Sequence, residues 1–385
     1  MRDPLRIAIL CHSTNPRGGV VHALELGDAL ARLGHAPTVL APAASGAGFF
    51  RETLCETVVI PARSFSGGVP EMAEARIADY LAWFDAPSRR GFDLFHAQDS
   101  ISGNALATLK ERGAIDRFAR TVHHVDAFAS PALEALQRRA ILSADVHFAV
   151  SETWRERLSG EYGLKPIVVG NGADADRFSP IADGREAALR ARLGLGAGPV
   201  VLSVGGVESR KNSRRILAAF RQLALMLPGA QLVIAGRVSL LDHSEYRRAF
   251  AQERAATGLP PEAVVLAGFV PDEDMPALYR VADVLAFPSL VEGFGLAALE
   301  ALASGLPVVA SRIAPFTEYL GDADVAWCDP LNEASIANAL MAALAEPLRS
   351  RFAARGPRLA ARCGWEAVAS AHLPAYRGLA ELAHA

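Results

Sequence analysis

Short apolar runs, each closed by glycine, proline or a polar turn, alternate along this chain with longer stretches where leucine and alanine recur every three or four positions. The first pattern reads as strands buried on both faces, and the second as helices with one apolar stripe. In the amino-terminal half the strand candidates are residues 5–10, 37–41, 57–60, 93–96, 120–123 and 146–150, with a first helix over about 21–33 that stops at Gly34. A polar stretch over 165–180, carrying the turn Asn171-Gly172 and ending in Pro180, reads as a linker. The alternation then restarts with strands over 200–204, 231–235, 263–267, 284–287 and 308–310, and helices such as 214–226 and 296–303. Twice-repeated βαβα order predicts two Rossmann-like, doubly wound parallel sheets, whose ligands bind beyond the carboxyl ends of the strands.

Length and composition are consistent with that picture. A chain of 385 residues exceeds one ordinary core, and 51% hydrophobic with 21% charged residues describes a folded domain pair. A formal charge of −3 gives no reason to expect nucleic acid, so the partner is expected to be small. Cys11, Cys55, Cys328 and Cys363 lack the spacing of a zinc site or a disulfide framework, which suits a reducing cytoplasmic setting. The apolar run near the amino terminus is too short for a signal peptide, and no run spans a membrane, although peripheral membrane contact stays open.

The densest chemistry lies in residues 282–311, a strand, loop, helix and second strand in close succession. Glu292 stands in the loop and Glu300 on the helix, five residues, or about 7 Å of rise, beyond Gly295. Free amides at Phe294, Gly295 and Leu296 would present partial positive charge to a phosphate, with the two carboxylates holding hydroxyls on either side. The alternative is that both glutamates are solvated, but Glu300 borders the leucine stripe, where a merely solubilising charge is less expected. After the strand over 200–204 come Arg210 and Lys211, a fork and a point charge able to grip a diphosphate, or else a solvated basic turn. Gly18 and Gly19, before the first helix, form either a phosphate cradle or a tight turn. His96, His123 and His124 follow strands, where structural and functional roles both fit, and Asp126 is placed to orient an imidazole. His22 and Ser151 read as structural, the latter as a helix cap.

Glu292 through Glu300 resembles the E-x7-E motif of retaining glycosyltransferases of the GT-B fold, in the large glycosyltransferase family four. The resemblance extends to the T-x-H placement of His123, with His124 as the alternative, to the glycine pair at Gly18-Gly19, to Lys211, to Val270 with Asp272, and to a tail helix over 364–385. It implies two Rossmann-like domains facing a cleft, an acceptor domain over 1–178 and a donor domain over 179–363, with the tail crossing back to the first. It further implies that Glu292 lies near the donor sugar, that Phe294, Gly295 and Leu296 touch the diphosphate, that Glu300 binds the ribose, and that Val270 lies by the base. The implied activity is a retaining hexosyl transfer from a UDP- or GDP-linked sugar to an unidentified acceptor, with the nucleotide-sugar as co-substrate and no cofactor. One position departs from the family pattern: Gly206 stands where its arginine is usual, and Arg210 is the candidate replacement. With Lys211, Arg210 and the helix amides supplying positive charge, no metal is expected, and the D-x-D triplets at Asp174/Asp176, Asp272/Asp274 and Asp322/Asp324 are read as turn residues. Two rival readings are a nucleotide-sugar epimerase of the same architecture and a non-catalytic nucleotide-sugar-binding protein, the latter favoured by Gly206.

Overall fold

A computed structural model of the chain describes residues 3–44, 46–236 and 243–383. Two compact units emerge, one formed by Met1–Asn171 with Trp365–Ala385 and the other by Gly172–Gly364. The first junction thus precedes the expected 178. Phe178 is buried in the second unit's core, and the amide of Ala173 bonds the carbonyl of Cys363 within that unit.

The first unit contains β1 (Arg6–Leu10), β2 (Ala36–Ala43), β3 (Glu56–Pro61), β4 (Leu94–Ala97), β5 (Phe118–Val122), β6 (Val146–Ala149) and β7 (Ile167–Val168). They form a seven-stranded sheet in the order β3-β2-β1-β4-β5-β6-β7, and every pairing is parallel. The second unit contains β8 (Val200–Val204), β9 (Gln231–Ala235), β10 (Val264–Gly268), β11 (Val284–Phe287), β12 (Val308–Ser311) and β13 (Ala326–Cys328), in the order β10-β9-β8-β11-β12-β13, again all parallel. The doubly wound arrangement expected from the alternation is therefore present in both units. Strand order reverses between β1 and β4 and between β8 and β11, and chain connections diverge at those points to leave a crevice beyond the strand ends.

The strands are apolar runs because helices cover both sheet faces. Ile7 to Leu10, Val201 to Leu202 and Val284 to Ala286 are wholly enclosed. The helix Trp365–Ala383 belongs to the first unit and packs beside the helix Gly18–Arg32. Between them and the sheet lie His22, His96, Phe148, Trp365, His372 and Tyr376, with the rings of Phe148 and His372 4.3 Å apart. The helix Trp365–Ala383 runs unbroken through Pro374. No helix among the described residues is long and apolar enough to cross a membrane.

Candidate functional site

Chemistry gathers at the reversal point of the second sheet, where the loops after β8 and β11 are tied together. The amide of Leu290 donates to the carbonyl of Arg210 at 2.9 Å. Asn212, held at φ +61, donates its side-chain amide to the carbonyls of Pro288 at 3.0 Å and Pro330 at 2.7 Å. These bonds fix the register of the two loops, so their charged side chains meet.

Lys211 Nζ lies 2.6 Å and Arg210 Nη1 3.2 Å from the same oxygen of Glu292. Sequence reasoning placed Arg210 and Lys211 in one motif and Glu292 in another, and the fold brings all three to one point. Glu292 is only 6% exposed and Lys211 11%, whereas Arg210 keeps 38% of its side chain in water. Burial works to raise the Glu292 pKa, but the charges of Lys211 and Arg210 prevail and hold the carboxyl below its usual range. Burial brings Lys211 below its ordinary value, against the opposing pull of Glu292. The lysine stem crosses the end of β8 because Gly205 has no side chain: a Cβ there would stand 2.7 Å from Lys211 Cε, on a residue already at φ +124. Nζ also sits 4.3 Å above the centre of the Phe287 ring.

The helix Leu296–Ala303 begins directly after this loop, with no side chain capping its first turn. The amide of Ala298 bonds the carbonyl of Gly295, and the amides that precede it remain available to an anion. Gly295 enters it at φ +101, where a Cβ would collide with the Phe316 ring at 2.4 Å. Phe294 stacks on Tyr319, with centroids 4.6 Å apart, and its carbonyl accepts a 3.1 Å bond from the Tyr319 hydroxyl. Within the helix, Glu300 accepts a 2.7 Å bond from Tyr279. Val270 is buried in the hydrophobic core of this unit, and its neighbour Phe269 is exposed. Asp272 pairs with Arg177 at 2.7 Å.

The buried Glu208, 3.9 Å from Arg210 and 4.0 Å from His243, was not singled out from the sequence, nor were Tyr279 and Tyr319. Glu208's nearness to two cations was the one signal available. Spacing gave none for the tyrosines, which approach from other elements.

On the first unit a second group surrounds the end of β5. His123 lies 3.0 Å through Nε2 from the Gln98 side-chain oxygen, an acceptor only, which assigns the proton to Nε2. Burial, followed by the field of His22, keeps this imidazole well below its ordinary pKa and hence neutral. Gly18 and Gly19 are not a turn but the first residues of the helix Gly18–Arg32. A side chain on Gly19 would meet the His123 ring at 3.5 Å, and one on Gly18 would meet nothing. His22 is enclosed and lies 2.6 Å from the Asn171 side chain, in keeping with a structural role. His124 is turned to Asp126 at 3.2 Å, so of the adjacent histidines it is the second that this aspartate orients.

Five of the six aspartates of the D-x-D triplets face arginines or their own backbone. Asp274 pairs with Arg192, Asp322 with Arg312 and Asp324 with Arg355, while Asp174 accepts from the amides of Asp176 and Arg177. Among the described residues no group of three His, Cys, Asp or Glu side chains is gathered to hold a metal ion.

Residues 185–359 match the family described as Glycosyl transferases group 1, and residues 16–177 match Glycosyltransferase Family 4. Mannosylfructose-phosphate synthase from Agrobacterium fabrum is 33% identical over 46% of this chain and 40% of its own length. GDP-mannose-dependent alpha-(1-6)-phosphatidylinositol monomannoside mannosyltransferase from Mycolicibacterium smegmatis is 31% identical over 64% of this chain and 65% of its own. The match thus spans less than two thirds of either relative. Sucrose-phosphate synthase from Thermosynechococcus elongatus superposes with a TM-score of 0.78 at 22% identity, covering 97% of this chain and 99% of that one. The Anabaena protein HepE, solved with UDP and glucose, gives 0.76 at 18% identity, over 95% and 97% of the two chains.

Proposed function

We propose that this chain, which belongs to glycosyltransferase family four of the GT-B fold, transfers a hexose from a nucleotide-diphosphate-sugar to an acceptor hydroxyl with retention at the anomeric carbon. The observation that carries this reading is the meeting of Lys211, Arg210 and Glu292 beside the uncapped helix start at Leu296. As the glycosidic bond breaks, charge collects on the departing diphosphate. Two cations and a set of free amides aimed at one place stabilise that charge without reorganising. Glu292 then lies where a donor sugar attached to that diphosphate would offer its hydroxyls, and Glu300 where the ribose would. His123, neutral and with Nε2–H committed to Gln98, keeps Nδ1 as an acceptor for a ligand hydroxyl and carries no charge.

Metal independence belongs to the same reading, because Lys211 and Arg210 supply the positive charge a divalent ion would bring. The donor is a UDP- or GDP-linked sugar. GDP-mannose appears in the name of one relative and UDP with glucose in the complex of one structural neighbour.

Calorimetric titration with UDP, GDP and their sugar conjugates tests the donor assignment, and an acceptor screen with NMR of the product tests transfer and anomeric retention. Activity is expected to persist in EDTA. Loss of turnover in EDTA that magnesium or manganese restores would overturn the metal-free mechanism. An epimerised sugar formed without acceptor, or donor binding with no turnover at all, would select the rival enzyme or the binding protein instead.

A further inference from the structure

Tyr279 lies on the helix Met275–Val281, and its side chain is wholly enclosed. Its ring meets Phe178 edge-on at 5.7 Å, and its hydroxyl donates to Glu300 Oε2 at 2.7 Å. Burial, reinforced by the Glu300 charge, drives the phenol well above its ordinary pKa, so it remains a protonated donor throughout the working range. A phenol has one proton to give, and here it goes to the carboxylate. A carboxylate accepts about four hydrogen bonds, so this one fixes its plane and leaves acceptor capacity for a ligand.

The geometry of a clamp follows from these contacts. Glu300 sits on a helix and has three rotatable bonds, so a free side chain would have to be ordered when a ligand arrives. The bond from Tyr279 does that ordering in advance. The phenol is itself immobile, because its ring is locked by core packing and its helix packs on the helix Glu186–Leu193.

We propose that Tyr279 is a positioning residue that sets affinity for the ribose of the nucleotide, by holding the Glu300 carboxylate in the orientation that receives the ribose hydroxyls. This rests on Glu300 being the ribose-binding residue. A tyrosine that merely satisfied its own hydroxyl on the nearest acceptor would matter for stability alone, and ribose selectivity tells the two roles apart.

The test compares UDP and GDP with their 2′,3′-dideoxy counterparts by calorimetry, in the parent chain and in Tyr279→Phe. A charge-assisted bond to a hydroxyl corresponds to roughly tenfold or more in affinity, so the parent should prefer the ribonucleotide by about that factor. In Tyr279→Phe that preference should shrink to about threefold or less, with dideoxynucleotide affinity unchanged. An undiminished preference, or an equal loss for both nucleotides, overturns the proposal while leaving Glu300's role standing. A parent that does not distinguish ribose from dideoxyribose removes the Glu300 reading and the proposal with it.

Should Tyr279→Phe not fold, 3-fluorotyrosine labelling of the parent carries the same question. The chain has 6 tyrosines, and Tyr→Phe variants of the others assign the Tyr279 fluorine signal by elimination. That signal should move with the ribonucleotide and stay with the dideoxynucleotide. The same shift with both ligands overturns the proposal.

Discussion

Arg210 and Lys211 touch one carboxylate oxygen, yet their removal should have separable consequences, because water reaches one far more than the other. Arg210 makes a 3.2 Å contact to Glu292 and a 3.9 Å contact to Glu208 from a side chain that is 38% exposed. Solvent screens such a pair, so Arg210→Ala should lower stability by less than ~1 kcal/mol. Lys211 is enclosed, and deleting it takes a 2.6 Å partner from the buried Glu292, a loss worth ~3–5 kcal/mol for a broken buried pair. Arg210 remains to share the charge, so the lower end of that range applies. At about 2–4 °C per kcal/mol for a unit of this size, Lys211→Ala should melt about 6–12 °C below the parent and Arg210→Ala within about 4 °C of it. Turnover should respond differently, since on the proposed reading each group meets the departing diphosphate, and a stabilising donor of this kind is worth ~10²–10³ in rate. Calorimetric melting and kcat/KM for the nucleotide-sugar therefore form the assay. Arg210→Ala should lose about two orders of magnitude in rate at nearly parental stability. Parental kcat/KM in that variant would refute the assignment of Arg210. Gly206→Arg completes the test: Gly206 adopts φ +76, so an L-residue there costs ~1–2 kcal/mol and should bring no rate. A gain in rate despite that strain would mean that the site lacks a cation and that Arg210 does not fill it.

Glu300→Gln should raise the KM for the donor roughly 5- to 10-fold with a smaller effect on kcat, because it loses the charge but keeps an acceptor for Tyr279 and for a hydroxyl; unchanged donor affinity by calorimetry would contradict the ribose role. Gly295→Ala places a Cβ 2.4 Å from the Phe316 ring on a residue at φ +101, and should weaken nucleotide binding by ~10-fold or more, about 1.4 kcal/mol; parental affinity would show that the loop need not hold its shape. Burial lowers His22 from 6.5 to about 4, against the raising effect of Asn171, and burial with the field of His22 lowers His372 to about 3. These histidines stay neutral in the fold while the unfolded chain takes up protons below pH 6.5, so stability is full above that pH and falls as pH drops towards 4. His22 alone should cost ~2 kcal/mol by pH 5, and equal urea midpoints at pH 7 and pH 5 would refute the sign.

What the chain reveals about itself depends on how local each cause is. The strands β8, β9 and β11 were legible to the residue, because a strand covered on both faces must be a continuous apolar run ended by glycine, proline or a polar residue. The two-residue β7 lay inside the presumed linker and the three-residue β13 at the sheet edge, both too short to carry any period. The first helix begins at Gly18, ahead of the expected start near Val21: paired glycines suggest a turn, yet these adopt helical geometry. The candidate site shows the same division. Glu292, Gly295 and Glu300 belong to one strand-loop-helix unit, so their spacing carried their relation. Lys211 reaches Glu292 only because β8 and β11 are neighbours, a pairing created by the order reversal and locked by Asn212 at a backbone angle no pattern announces. Tyr279 and Tyr319 approach the same unit from separate helices, with Tyr319 supporting the Phe294 carbonyl and Tyr279 the Glu300 carboxylate. Motif residues are thus legible where one segment carries them. The residues that hold them in place are fixed by packing between segments, and a single sequence encodes that packing only through the completed fold.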